Sequence, residues 1–198
     1  MEQLEKLYSS DGIYGSLTYG SPLCCRGLKC AVFLTQFGTL KGKKILCVGS
    51  GNGYEAVWFV KAGCDVTVLE LYHPKLPILE GKQIRGYAQD LPFEDNEFNL
   101  YFCCEMMEHV PEELTIPILK EAKRVSGEVF FTIADRGDPP YNTHINIHDM
   151  PYWYFMFKQL GFEIINVQTK PRFPILNVTK EGITLFSCAD GTLIHAGC

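Results

Sequence analysis

One stretch of the sequence constrains the fold more than any other. The apolar run 45–48 is followed by glycines at alternate positions, Gly49, Gly51 and Gly53, and then by a helical pattern. A second apolar run ends in an acid, Glu70, 21 residues after Gly49. Two strands joined by one helix over this length favour a parallel, doubly wound sheet. Glycines let the backbone approach a ligand, and the acid can accept hydrogen bonds from a ribose, so the stretch predicts a cofactor that contains adenosine.

The spacing of the glycines argues against two common nucleotide sites. A dinucleotide fingerprint reads Gly-x-Gly-x-x-Gly, but here the third glycine comes one residue early, and Tyr54 stands where it is expected. A phosphate-binding loop needs Gly-Lys-Ser/Thr, and Gly53 is followed by Tyr54 and Glu55. An NAD-dependent oxidoreductase is therefore a disfavoured alternative. Taken alone, the glycines are also compatible with an ordinary strand–helix connection.

A second motif lies downstream and supports a ligand site. It reads Gly86-Tyr-Ala-Gln-Asp-Leu-Pro-Phe93 and, after an apolar strand, Glu105-Met-Met-Glu-His-Val110. Together with the Gly-x-Gly-x-Gly turn, it resembles the class I S-adenosylmethionine-dependent methyltransferases, in particular the small-molecule (type 11) branch. The resemblance is close over about 43–135 and looser in the C-terminal part. It implies an α/β fold with a Rossmann-like, doubly wound, seven-stranded sheet, mostly parallel with a C-terminal antiparallel strand and helices on both faces.

The same resemblance implies S-adenosyl-L-methionine as the cofactor and assigns its contacts. The glycine turn would contact the methionine part, Glu70 the ribose hydroxyls, and Ala88 with Gln89 the adenine edge. The full set of implied cofactor contacts is Gly49, Ser50, Gly51, Gly53, Glu70, Leu71, Ala88, Gln89, Asp90, Cys104 and Glu105.

The chain departs from the family pattern at two positions of this site. Many relatives have an acid at position 47, which helps to hold the ammonium group of the cofactor, and this chain has Cys47. Relatives usually have an acid before Ala88, where this chain has Tyr87. Asp90 either takes over the contact to the adenine amino group or caps a helix. Weaker cofactor binding is therefore expected unless Glu105 compensates for Cys47.

Two histidines are candidates for acceptor chemistry. His109 follows Glu105 by four residues, so the two would share one face if a helix began there. An imidazole titrates near neutral pH, so His109 is either a general base or a structural residue. His144 and His148 have a spacing that could bind metal on a helix, but 142–149 carries little helical signal. We expect His144 to lie on the substrate side, and no metal site is predicted.

Local patterns predict the remaining elements. Pro74 and Pro77 oppose a long helix between 70 and 86, so that crossover should be short and irregular. The aromatic segment 150–160 is expected to form core and lid. The expected helices are 23–37, 53–62 and 111–124, and the expected strands are 44–48, 65–70, 98–103, 128–134 and a closing antiparallel pair, 162–169 with 183–188.

Length and composition limit the functional classes. A chain of 198 residues is expected to form a single domain, with an N-terminal cap over 1–40, a cofactor-binding core over 41–135 and a substrate-side region over 136–198. A net charge of -5 offers no field that attracts nucleic acid. The nine cysteines are odd in number and several lie in apolar runs, and no signal peptide or long apolar span is seen, so reduced thiols in a cytoplasmic protein are expected. Neither membrane nor nucleic-acid partners are expected, and the oligomeric state is not predicted.

The family resemblance implies a methyltransferase that acts on a small-molecule or sugar-linked acceptor by direct displacement at the sulfonium methyl. The acceptor pocket is expected to include the N-terminal tyrosines, 135–148 and the aromatic segment. The alternative, prompted by Cys47 and Tyr87, is a catalytically degenerate protein that binds the cofactor and acts as a regulator or partner.

Overall fold

The computed structural model describes residues 34–51, 53–71, 79, 81–135, 142–169, 177–179, 182–184 and 192–198. Most of the helix expected at 23–37, the N-terminal tyrosines and most of the irregular crossover lie outside these residues.

Within them the chain forms nine β-strands and three α-helices. The strands are β1 (Lys44–Val48), β2 (Asp65–Glu70), β3 (Gln83–Arg85), β4 (Phe98–Cys104), β5 (Ser126–Ile133), β6 (Glu163–Thr169), β7 (Asn177–Thr179), β8 (Gly182–Thr184) and β9 (Thr192–Gly197). The helices are α1 (Tyr54–Lys61), α2 (Thr115–Val125) and α3 (Met150–Gln159). Short 3-10 turns occur at Thr35–Phe37, Met107–His109 and Glu112–Leu114.

Seven strands form one sheet in the order β3-β2-β1-β4-β5-β9-β6. The pairs among β1 to β5 are parallel, and β9 runs antiparallel to both of its neighbours, β5 and β6. The strand order reverses between β1 and β4, and ligands of doubly wound sheets bind at the carboxyl ends of the strands beside such a reversal. The topology therefore places the ligand site after β1 and β4.

Both faces of the sheet are covered, because alternate residues of a strand point to opposite faces. Leu46 belongs to a core cluster with Ile118 of α2 and Trp153 of α3. Cys47 belongs to a second cluster with Phe59 of α1. The predicted fold, with helices on both faces of a mostly parallel seven-stranded sheet, is confirmed.

The aromatic segment forms α3. Asp149 caps its start, since Asp149 Oδ1 accepts a hydrogen bond of 3.2 Å from the backbone N–H of Tyr152. Pro151 lies in the first turn, where a missing N–H costs nothing. The side chains of Trp153 and Phe157 are fully buried, so part of this segment is core, as expected.

One predicted strand is wrong. The closing antiparallel pair was expected to be 162–169 with 183–188, but the strand that pairs with β6 is β9, Thr192–Gly197. The short β8 overlaps the expected strand and pairs instead with β7 in a separate two-stranded sheet. Strand β3 was not anticipated, because three residues carry too little alternation to be recognised. The other expected strands match β1, β2, β4, β5 and β6, and the helices expected at 53–62 and 111–124 match α1 and α2.

Candidate functional site

The glycine turn after β1 has a backbone that favours glycine at each of its three glycine positions. The φ angles are 66° at Gly49, 53° at Gly51 and 76° at Gly53, all in the left-handed region. Gly49 also permits a close approach, because a Cβ there would overlap the side chain of Met106, lying 2.8 Å from its Cβ. The turn thus brings the end of β1 against the end of β4.

Glu70, at the end of β2, is tied to the same turn. Its side chain accepts hydrogen bonds from the backbone N–H of Gly51 (2.8 Å) and from that of Leu71 (2.6 Å). The residue is buried, with 6% of its surface exposed, and it lines the cavity described below. Backbone donors favour the charged carboxylate. Glu70 therefore orders the glycine turn, and its carboxylate faces the place predicted for a ribose.

The glycine turn and Glu70 form two parts of one wall of the site. The segment that follows β3 forms the third part. Tyr87 and Asp90 form an isolated antiparallel bridge, with Ala88 buried and Gln89 half-buried between them. No helix follows Asp90, since 91–97 contain only turns and coil, so the helix-cap explanation of Asp90 is wrong. Asp90 is exposed.

Arg124 and Glu121 form an ion pair on α2, and both bind the next part of that segment, which begins at Leu91. Arg124 donates to the carbonyl oxygens of Leu91 (3.0 Å) and Phe93 (2.7 Å) and to the carboxylates of Asp95 (2.9 Å) and Glu121 (2.7 Å). Glu121 also accepts from the backbone N–H of Leu91 at 2.8 Å. The hydrogen bond from Arg124 is the main reason that the pKa of the Glu121 carboxyl is lowered.

The opposite wall begins at the end of β4. Glu105 has a φ of 53°, an uncommon conformation for a residue with a side chain, and its N–H donates to the carbonyl of Thr132 at 2.8 Å. No α-helix begins here, so the expected helical face shared by Glu105 and His109 does not form. A 3-10 turn at Met107–His109 brings both residues to the cavity instead.

His144 approaches this turn from a segment 35 residues further along the chain. The backbone N–H groups of Ile145 and Asn146 both donate to the carbonyl of Glu108, at 2.8 and 3.1 Å. The Asn146 side chain donates to the carbonyl of Met107 and to Thr115 Oγ1, each at 3.1 Å. The ring centroids of His109 and His144 lie 4.7 Å apart, in an edge-to-face arrangement. The two candidate catalytic residues are therefore neighbours.

His148 does not belong to this pair. It stacks on Tyr152 with ring centroids 3.6 Å apart, and its Nε2 lies 3.6 Å from Glu112 Oε1. Tyr152 also donates to Glu112 at 3.1 Å, and burial, together with this hydrogen bond, raises the pKa of Tyr152 to about 12. Residues 142–149 form no helix, so the spacing of His144 and His148 does not make a helical metal site.

The two walls enclose one cavity, with a volume of about 160 Å³, at the carboxyl ends of β1, β2 and β4. Seven of the predicted site residues line it: Gly49, Glu70, Leu71, Ala88, Gln89, Glu105 and His109. The other six do not line it: Ser50, Gly51, Gly53, Asp90, Cys104 and His144. Gly51 donates a hydrogen bond to Glu70, and the ring of His144 lies against that of His109, so these two residues contact residues that line the cavity.

Two cysteines near the site are turned away from it. Cys47 is fully buried in the core cluster beneath α1, and burial raises the pKa of its thiol, so it is neutral at pH 7. Cys104 accepts a hydrogen bond of 3.0 Å from Thr132 Oγ1 on the neighbouring strand. Cys47 therefore lies in the core that covers the opposite face of the sheet from Val48, which lines the cavity.

Sequence reasoning missed the apolar part of the cavity and one acid beside it. Met106, Val110, Leu114 and Ile118 line the cavity next to His109. Their spacing across a turn and the start of α2 gave no regular pattern. The acid is Glu108, which is fully buried. It was visible as the second acid of the Glu-x-x-Glu-His motif, which could have marked it as a site residue.

Comparisons with known proteins agree with this geometry. A family model described as a methyltransferase domain matches residues 46–128. A ubiquinone biosynthesis O-methyltransferase from Hydrogenovibrio crunogenus is 32% identical over 146 residues, covering 68% of this chain and 58% of that protein. This chain spans about half the length of the curated relatives it matches.

Solved structures share the fold. A 1,6-didemethyltoxoflavin-N1-methyltransferase from Burkholderia thailandensis, with bound 1,6-didemethyltoxoflavin and S-adenosylhomocysteine, has a TM-score of 0.63 at 15% identity, covering 89% of this chain and 79% of that one. A phosphoethanolamine N-methyltransferase from Haemonchus contortus, in complex with S-adenosyl-L-methionine, has a TM-score of 0.59 at 20% identity, covering 75% and 40%. In the described part of this chain, no helix has the length and apolar character needed to cross a membrane.

Proposed function

This chain belongs to the class I S-adenosylmethionine-dependent methyltransferases, and we propose that it transfers the cofactor's methyl group to an oxygen atom of a small-molecule acceptor. The family model and the curated relatives confirm the resemblance to methyltransferases that two sequence motifs indicated. The observation that carries the proposal is a cavity in which Gly49 and Glu70 face the same space as Glu105 and His109. One wall suits the cofactor, and the other offers groups for the acceptor.

The described residues fit S-adenosylmethionine. Glu70 would accept hydrogen bonds from the ribose, with its carboxylate already oriented by two backbone donors. The hydroxyl of Ser50 is buried and has no hydrogen-bond partner in the described part of the chain, so a polar group of the cofactor could satisfy it. Ala88 and Gln89 would contact the adenine edge. Glu105 would approach the ammonium group, which in many relatives is held by an acid at the position of Cys47.

The reaction needs little covalent chemistry from the protein. An acceptor oxygen forms a bond to the methyl carbon, the bond from carbon to sulfur breaks, and sulfur takes its electron pair to give S-adenosylhomocysteine. The acceptor hydroxyl loses its proton in the process. Aligning nucleophile, carbon and sulfur in a closed site can remove about 7–11 kcal/mol of the barrier. We propose that the pair formed by His109 and His144 promotes loss of the acceptor proton.

Oxygen as the methylated atom, and a small or sugar-linked acceptor, rest on two kinds of support. Several curated relatives carry the name ubiquinone biosynthesis O-methyltransferase. The cavity beside His109 is lined by apolar side chains, including Met106, Leu114 and Ile118, which suit an acceptor with an apolar body.

Calorimetry and turnover together test the proposal. S-adenosylmethionine and S-adenosylhomocysteine are titrated into the purified protein, and a panel of phenolic and sugar-linked hydroxyl compounds is screened for methylated product by mass spectrometry. We expect both cofactor forms to bind and at least one compound to be methylated on oxygen. Replacing His144 with Asn should lower kcat by about 100-fold or more, the range for a group that assists proton transfer.

The matched control is His148→Asn, because His148 has the same side chain on the same segment but pairs with Glu112. It should retain the activity of the unmodified protein. Cofactor binding without turnover on any acceptor would instead favour the degenerate regulatory protein. Absence of cofactor binding would contradict both.

The organisation and compartment of the protein are proposals as well. We propose a single methyltransferase domain over 1–198 that acts in the cytoplasm, without nucleic-acid or membrane partners. Four of the described cysteines, Cys47, Cys64, Cys103 and Cys198, are free thiols, in keeping with a reducing compartment.

A further inference from the structure

We infer that this chain recognises the purine of its cofactor through the aromatic ring of Tyr87 and not through the 6-amino group of the adenine. Tyr87 lines the cavity, yet 48% of its surface is exposed. An aromatic ring with free surface can contact the flat face or edge of a base, and such a contact does not depend on the hydrogen-bond pattern of that base. Cofactor analogues that lack the 6-amino group should therefore remain ligands.

The inference rests on the proposed function, in which the adenine lies beside Ala88 and Gln89, and it does not depend on the acceptor. Tyr87 directly precedes these two residues in the chain, and all three line the cavity. A base that contacts Ala88 and Gln89 is therefore within reach of the Tyr87 ring.

The backbone that carries this ring is fixed at both ends. The N–H of Gly86 donates to the carbonyl of Glu70 at 3.3 Å, and the N–H of Asp90 donates to the carbonyl of Tyr87 at 3.2 Å. A Cβ at position 86 would lie 3.1 Å from Leu69 Cδ1, so the segment lies close against β2. The base position is thus held next to the ribose position, and little backbone ordering is needed when a base binds.

The carboxylates near the cavity are engaged elsewhere. Glu70 and Glu105 are the two acids among the described residues that line it. Glu70 is bound by two backbone N–H groups, and Glu105 lies on the opposite wall, after β4. Asp90, the acid that follows Gln89, is exposed and does not line the cavity. Among the described lining residues, the polar side chains beside the base are therefore those of Tyr87 and Gln89.

These two side chains can adapt to a changed base, whereas a carboxylate cannot. A hydroxyl and a carboxamide each donate and accept hydrogen bonds, but a carboxylate only accepts. Losing a hydrogen bond between neutral groups lowers affinity by about 2–12-fold, and losing one to a charged group lowers it by about 12–150-fold. Removal of the 6-amino group should therefore cost this chain at most about tenfold in affinity.

Calorimetry with two ligands tests the inference. S-adenosylhomocysteine is compared with its 6-deamino analogue, in which hydrogen replaces the 6-amino group and the ring nitrogen beside it keeps its lone pair. In the unmodified protein, we expect the Kd of the analogue to be less than about tenfold higher. A larger ratio would show that a charged acceptor binds the 6-amino group, and it would overturn the inference.

Substitutions of Tyr87 separate the ring from its hydroxyl. Tyr87→Phe keeps the ring, so the Kd for S-adenosylhomocysteine should stay within about threefold. Tyr87→Ala removes the ring and should raise that Kd by about fivefold or more, the range for loss of a contact between a base and an aromatic side chain. The matched control is Tyr154→Ala, because Tyr154 is a partly exposed tyrosine of α3 that does not line the cavity. Equal Kd values for Tyr87→Ala and Tyr154→Ala would overturn the inference.

Tyr87→Asp should change the specificity of the site. It places a carboxylate, which accepts a hydrogen bond from the 6-amino group, at the position of the ring. The ratio of the two Kd values should therefore rise by about tenfold or more. An unchanged ratio would show that position 87 does not face the 6-amino group. Loss of affinity for S-adenosylhomocysteine alone in Asp90→Asn would assign the 6-amino contact to Asp90. Either result would overturn the inference.

The outcomes also separate this inference from the proposed function. Circular dichroism melting of each variant checks that the fold persists, and the Kd ratio in the unmodified protein decides the inference even if a variant does not fold. A high ratio together with binding of S-adenosylhomocysteine overturns the role of Tyr87 and leaves the methyltransferase proposal intact. Absence of binding by S-adenosylhomocysteine would contradict both.

Discussion

The two walls of the cavity differ in whether backbone or side chains line them. The wall predicted to hold the cofactor consists largely of backbone: the glycine turn at Gly49, the 86–89 segment, and one carboxylate, Glu70, fixed by two N–H donors. The wall predicted to hold the acceptor consists of side chains from Glu105 to Ile118, with His144 added from a distant segment.

This difference predicts that the two walls respond differently to mutation. A substitution alters the part of a wall that is made of backbone only if it replaces a glycine or the carboxylate that orders the turn. Cofactor affinity should then fall. A wall of side chains can be altered residue by residue, and turnover should fall while cofactor affinity stays unchanged. The predictions below test this contrast, from the largest expected effect to the smallest.

Glu70→Gln should have the largest effect on cofactor affinity. Glutamine can accept only one of the two backbone hydrogen bonds, and its NH₂ group faces the other donor. We expect a loss of about 2–3 kcal/mol, roughly 30–150-fold in the Kd for S-adenosylhomocysteine, because hydrogen bonds to a charged group are lost. Calorimetry measures it, with Glu163→Gln on the exposed edge strand as the control. Equal affinities in the two variants would refute a role for Glu70 in the cofactor wall.

Gly49→Ala and Gly51→Ala separate backbone strain from close packing. Both positions have positive φ, so each alanine should cost about 1–2 kcal/mol of the free energy of unfolding. Only at position 49 would the added Cβ also overlap Met106, whereas nothing lies within 4 Å of it at position 51. Gly49→Ala should therefore be the more destabilising by about 1–3 kcal/mol in urea titrations. Adding Met106→Ala should recover part of that loss, and no recovery would contradict the packing argument.

Arg124→Met should affect stability through segment 91–95, which Arg124 attaches to α2. It removes hydrogen bonds to Leu91, Phe93, Asp95 and Glu121, so we expect about 1–3 kcal/mol less stability at pH 7. The pKa of Glu121 is lowered in the folded protein, so its contribution is present above the ordinary pKa of about 4.3 and is lost as pH falls through the lower folded value.

The difference between Arg124→Met and the unmodified protein should therefore shrink in acid. Urea titrations at pH 7 and at pH 3 measure it, and Lys120→Met, an exposed position on the same helix, is the control. A difference that grows in acid would contradict the assignment of the Glu121 pKa to Arg124.

Asn146→Ala should have the smallest effect and the most selective one. It removes two hydrogen bonds that attach the His144 segment, and we expect about 1–2 kcal/mol less stability and a several-fold lower kcat. The Kd for S-adenosylhomocysteine should not change, because Asn146 attaches the segment that adds His144 to the acceptor wall. Ile145→Ala, with a side chain that is largely exposed, is the control for the segment. A parallel change in cofactor affinity would show that the two walls are not independent.

Prediction from sequence succeeded where the determining contacts are local. The strand, the glycine turn, α1 and the strand ending in Glu70 lie within 27 residues of chain, from Lys44 to Glu70, and their periodicity and glycine spacing are visible without a structure. It failed for the closing strand, where 183–188 and 192–197 are both plausible strands. Pairing with β5 and β6 across the sheet selected the second, and no local pattern carries that information.

The sequence by itself determined the doubly wound sheet, the position of the glycine turn and the acid that binds its backbone, because backbone conformation and burial impose their own spacing on the chain. Only the tertiary structure placed Met106 against Gly49, turned Cys47 into the core on the other side of the sheet, and brought His144 to Glu108 and His109. The physical reason is distance along the chain. Residues 35 positions apart meet only when a whole strand and helix have packed between them, and His109 and His144, the residues proposed to act on the acceptor, are of this kind.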